Sequence, residues 1–148
     1  MSELDAAPGG GLESTFSARL TGGRIGSPSA SFVVVEWTDP GGGGDPPRYI
    51  APLHVHHDDD EAWYVLDGSL RVRVGESDVD VPAGGAVLVP RGTPHTYWNP
   101  RAGPGRYLIV MAPRILRLIE ALHALPDRDL ETVAAVFREH SSTYLGWP

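Results

Sequence analysis

Leu70-Arg71-Val72-Arg73-Val74-Gly75-Glu76-Ser77-Asp78-Val79-Asp80-Val81 is the stretch whose reading decides the fold. Apolar and charged residues alternate on both sides of a Gly-Glu turn, the pattern of two half-buried strands closing a hairpin. Pairing Val74 with Ser77 sets Arg73 opposite Asp78, Val72 opposite Val79, Arg71 opposite Asp80 and Leu70 opposite Val81. One face is then apolar and the other carries two opposite-charge pairs, so alternation, turn and charge agree on a single register. The same register occupies Arg71 and Arg73, the only closely spaced basic pair in a strand, with carboxylates rather than leaving them for a phosphate.

Strand and turn continue to alternate outward from this hairpin. Between Ala62 and Pro100 further turns fall at Asp67-Gly68 and Ala83-Gly84-Gly85. Upstream, Thr15 to Leu20 and Ser31 to Thr38 read as strands, because β-branched and aromatic residues lie there between Gly and Pro clusters. Pro40 to Pro47 contains four consecutive glycines and three prolines, which predicts a flexible linking loop. Arg106 to Ala112 predicts a last strand, after which the apolar period changes from two to 3.6. Pro113 suits a first helical position, and Ile115, Leu118, Ile119, Leu122 and Leu125 form one stripe. A second amphipathic helix is expected from about Arg128 to His140, with Leu130, Val133, Ala134 and Phe137 inward and Asp127 or Asp129 as its cap.

Strands followed by two helices imply an all-β barrel or sandwich with a helical appendage. Residues 1–12 read as a flexible, polar terminus, 13–112 as the barrel, and 113–148 as the helical extension and tail. At 148 residues, this is one domain with room for a real core. Cysteine is absent, so any metal must be held by nitrogen and oxygen. A formal charge of -7 argues against a nucleic-acid partner. The first residues carry no basic or apolar run and no later run reaches membrane-spanning length, so a cytoplasmic protein without membrane contact is expected.

The residues that carry chemistry are His54, His56, Glu61 and His95. On a strand, His54 and His56 project to one face while Val55 and His57 project to the other. The two histidines can therefore converge, and His57 is excluded from their site. A short turn through Asp58, Asp59 and Asp60, expected to be solvated, can return the Glu61 carboxylate to them. His95 follows the Pro90-Arg91-Gly92 turn, in which Arg91 is expected to face solvent. Trp63 shares a face with Glu61, and Tyr97 with His95, which makes them either barrel core or walls of a substrate pocket. His123 and His140 read as ordinary helix residues, while Tyr144, Leu145 and Trp147 either pack the tail onto the barrel or form a dimer surface.

Two motifs here resemble those of the cupins. His-x-His-x4-Glu-x6-Gly is met by His54, His56, Glu61 and Gly68, and Gly-x5-Pro-x-Gly-x2-His-x3-Asn by Gly84, Pro90, Gly92, His95 and Asn99. Only residues 69–83 separate them, as in small single-domain cupins, although Arg48 stands where the family's first motif begins with glycine. The resemblance implies a double-stranded β-helix, or jelly-roll, barrel with two C-terminal helices. It further implies one divalent transition metal (Fe, Mn, Ni, Co, Cu or Zn) held by His54, His56, Glu61 and His95. The nearest functional analogy is the quercetinase-like group, which suggests a metal-dependent dioxygenase of a small enolic, phenolic or carboxylate compound. Glu61 would then be both ligand and proton acceptor. The alternatives are a non-catalytic small-ligand sensor and a metal-dependent isomerase or lyase. A homodimer and a small-molecule ligand complete the expectation.

Overall fold

The hairpin forms in the register its sequence predicts, each of the five pairs from Leu70↔Val81 to Val74↔Ser77 included. Arg71 Nε lies 2.5 Å from Asp80 Oδ1 and Arg73 Nε 2.8 Å from Asp78 Oδ1, so both arginines are occupied on the exposed face. The computed structural model describes residues 13–148, and the expected flexible terminus at 1–12 lies outside the described residues.

In chain order the strands are β1 (Arg24–Ile25), β2 (Val33–Asp39), β3 (Leu53–His56), β4 (Glu61–Asp67), β5 (Ser69–Val74), β6 (Ser77–Pro82), β7 (Ala86–Val89), β8 (His95–Trp98) and β9 (Gly105–Met111). Two helices, α1 (Pro113–His123) and α2 (Leu130–Glu139), precede a further strand, β10 (Ser142–Gly146). They form two antiparallel five-stranded sheets, ordered β1-β2-β9-β4-β7 and β10-β3-β8-β5-β6. Val35, Trp63, Val65, Leu70, Val72 and Ile109 meet between the sheets in one buried cluster, the core of a jelly-roll sandwich. Pro113 opens α1, and of the two candidate caps it is Asp129 that caps the start of α2, accepting from the Thr132 N–H at 2.9 Å. Among the described residues, no helix is long and apolar enough to cross a membrane.

Four expectations are corrected. Leu130, expected inward, is 69% exposed at the first residue of α2, where only Phe137 is fully buried. Thr15 to Leu20 is not a strand: Thr15 alone makes a bridge, to Gly26, and the side chain of Phe16 stays exposed with no neighbouring sheet to bury it. Arg106 to Ala112 does not hold the last strand, because β10 returns from the helices to pair with β3. Nor is Pro40 to Pro47 an unattached linker, since Gly42 and Gly43 donate backbone hydrogen bonds to Ala102 and Arg101 at 3.0 and 2.9 Å. Asn99 holds the receiving loop, donating to the Gly103 carbonyl and accepting from the Arg101 N–H, both at 2.9 Å. Arg48 closes the other side by donating to Asp39 and to the Gly41 carbonyl.

Glycine at 41 answers two constraints, a φ of +94° and a site where an added Cβ would lie 2.2 Å from the Ala102 oxygen. Gly44 has neither, with open space around it and no positive φ. Gly41→Ala should therefore cost about 2 kcal/mol or more in chemical denaturation, while Gly44→Ala should stay within about 0.5 kcal/mol of the parent.

Candidate metal centre

Strand parity places His54 and His56 of β3 on the inner face, and β8 brings His95 directly opposite His54 as its Cα partner. Glu61 opens β4 in the other sheet, so the cluster is assembled across the sandwich from both layers. All four side chains are buried, between 1% and 7% exposed, and each offers one ligand atom within 4.8 Å of the others. His57 is left outside, exposed and bonded through Nε2 to Thr143 Oγ1 at 2.7 Å.

The far nitrogen of every ring in the cluster is held. His54 Nδ1 lies 2.7 Å from the Pro52 carbonyl and His95 Nδ1 2.9 Å from the Thr93 carbonyl. A carbonyl only accepts, so both rings carry their proton on Nδ1. His56 Nδ1 meets Ser142 Oγ at 2.7 Å, and that hydroxyl donates to the His140 carbonyl at 3.1 Å, which leaves it to accept from His56 as well. Three Nδ1–H tautomers result, each with its Nε2 lone pair free. The Nε2 atoms of His56 and His95 are buried and reach no hydrogen-bond partner. Glu61 faces them at 3.7 and 3.4 Å. Buried polar atoms without partners are costly, and a shared dication is what a set of three imidazole nitrogens and one carboxylate would accommodate. These residues fit a metal.

Burial, aided by the neighbouring His95, lowers the pKa of His54 and of His56 from 6.5 to about 3. Both rings are thus neutral and able to ligate at neutral pH. Between those values the unfolded chain binds more protons than the folded one, so stability rises with pH across the window. The metal-free protein should accordingly lose melting temperature as pH falls from about 6.5 towards 3; a flat profile would show that these rings are not buried as described.

Trp63 and Tyr97 belong to the core and also line a cavity of about 480 Å³ that opens from the cluster. The Tyr97 hydroxyl bonds that of Tyr107 at 3.0 Å. His123 borders the same cavity, whereas His140 caps α2 and bonds the Val136 carbonyl through Nδ1 at 2.7 Å. The acidic turn is not simply solvated. Asp58 accepts from the Ser141 hydroxyl, Asp59 pairs with Arg114 of α1 at 2.8 Å, and Asp60 pairs with the exposed Arg91 at 3.1 Å. Three adjacent carboxylates avoid one another because each is drawn to a different element.

Ser142 is the residue that sequence reasoning missed. It is the Cα partner of His56 across β3 and β10, yet 86 positions away in the chain, and the second serine of a Ser-Ser pair before Thr143 and Tyr144 carries no motif. Ser142→Ala should weaken metal affinity by about tenfold to a hundredfold, measured by competition with a chromophoric chelator, while Ser142→Thr should retain most of it.

Residues 39–111 match the Cupin_2 family, the cupin domain. Solved structures agree on the architecture: a cupin protein from Bacteroides fragilis is similar at TM-score 0.53 and 12% identity, over 68% of this chain and 85% of that one. The cupin domain of Cnp3 from Schizosaccharomyces pombe is similar at 0.52 and 19%, over 60% and 57%. The protein TT1209 from Thermus thermophilus shares 32% identity over 55% of this chain and 72% of its own, at TM-score 0.48. No curated protein matches the sequence. The chain belongs to the cupin superfamily, and its four-residue cluster could hold a metal ion.

Proposed function

We propose that the protein binds one divalent transition metal through His54, His56, Glu61 and His95 and acts as a metal-dependent dioxygenase on a small enolic, phenolic or carboxylate compound. The observation that carries this reading is the common orientation of three Nδ1-anchored imidazoles, with the orphaned Nε2 atoms of His56 and His95 facing one buried carboxylate. When bound, a dication with these ligands supplies Lewis acidity for a deprotonated oxygen donor and open positions for dioxygen.

The chain's own part follows from what faces the cavity. The anchored rings keep their orientation without reorganising, because each Nδ1 is committed elsewhere. Glu61 is the carboxylate of the cluster and serves in this reading as the acceptor for the substrate's proton. Trp63 and Tyr97 wall the approach and exclude water. Iron, manganese, nickel, cobalt, copper and zinc all suit this donor set. Phosphorylated substrates are disfavoured because Arg71 and Arg73 are paired on the outer face. A homodimer completes the proposal and rests on the family resemblance.

Elemental analysis of the purified protein should find close to one transition-metal ion per chain, and His95→Ala should lower that content at least tenfold. A panel of enols and catechols, mixed anaerobically and then pulsed with oxygen, should give uptake only with metal-replete protein. Turnover without oxygen would overturn the dioxygenase, and tight binding without uptake would assign the barrel to a sensor.

A further inference from the structure

Resting on that metal reading, we infer that the C-terminal extension selects the ligand, and that the ligand joins a metal-binding oxygen donor to an apolar body without phosphate. The cavity of about 480 Å³ has a floor and a roof of different origin. His54, His56 and Glu61 of the cluster, with Trp63 and Tyr97, form the floor, from the barrel. Ile115, Leu118 and Leu122 of α1, Val133 and Phe137 of α2, and Trp147 after β10 form the roof. All of these roof residues lie beyond position 111, where the match to the family ends. The roof belongs to this chain's own extension.

The helical stripe thus has a second duty. Its apolar side chains pack partly onto the barrel and partly over open space, and a void of this size beneath them forfeits contacts that an apolar occupant would restore. The volume is that of a small-molecule site. Among the described residues lining it, the one arginine is Arg128, exposed in the connection before α2, and Arg48 is committed to Asp39. Apart from Arg128 and His123, both exposed, the lining offers no basic side chain beyond the ligand histidines for a phosphate.

Hydroxamates supply bidentate oxygen donors whose apolar body can be varied independently of the chelating group. Calorimetry on the purified protein should find benzohydroxamate bound at least about tenfold tighter than acetohydroxamate, and phosphonoacetohydroxamate no tighter than acetohydroxamate. Leu122→Gln should cut the benzo-to-aceto ratio severalfold, with Leu122→Met retaining it. The non-chelating pair benzamide and acetamide, run beside them with metal content measured on the same sample, separates the two readings. Metal-free protein that still prefers benzamide would remove the metal centre and leave the apolar chamber standing. Equal affinity within each pair, or tightest binding of the phosphonate, would overturn the inference.

Discussion

Hydrogen bonds to three imidazole Nδ1 atoms govern the centre of this molecule. An unanchored histidine can turn, change tautomer and satisfy itself on the nearest carboxylate. Here His54 and His95 use one local device, in which the ring bonds the carbonyl two residues earlier, at Pro52 and at Thr93. For His56 the residue two earlier is His54, inside the same strand, so its partner comes from elsewhere: Ser142 on β10. With all three protons committed outward, the inward nitrogens have nothing to donate and the buried site has no competing arrangement. The desolvation that keeps His54 and His56 neutral acts in the same direction.

Much of this was legible in the sequence because it is local. The Leu70 to Val81 hairpin could be registered from its alternation and its charge pairs, both of which depend only on neighbours across one turn. Parity along β3 was enough to accept His54 and His56 and to reject His57. What escaped depends on distant chain. Nothing near Ser142 advertises its use by a ring 86 positions earlier on the neighbouring strand β3, and the Ser142–Gly146 strand is too short to stand out from a tail. The strand expected at Thr15 to Leu20 fails for the converse reason: its pattern is acceptable, but beyond the Thr15 bridge no strand pairs with it. Likewise the acidic turn looked solvated because its counterions, Arg91 and Arg114, lie far along the chain.

The departure at Arg48 from the family's glycine has a structural counterpart. Its guanidinium joins Asp39, at the end of β2, to the Gly41 carbonyl, and so helps to hold the glycine-rich loop against the loop organised by Asn99. Asp39 and Pro40 also border the cavity, so this clamp shapes one side of the ligand space while standing clear of the cluster. A loop whose composition suggests freedom is thereby made part of a wall.

The pairing of β10 with β3 also orders events in time. A polypeptide is made from its N-terminus, and His54, Glu61 and His95 emerge well before Ser142. The His56 ring lacks its anchor until Ser142 is made, because the two residues lie 86 positions apart. Maturation of the centre therefore waits for the extension to dock. A chain interrupted anywhere between Met111 and Ser142 would lack the His56 anchor, which ties completion of the site to synthesis through that strand.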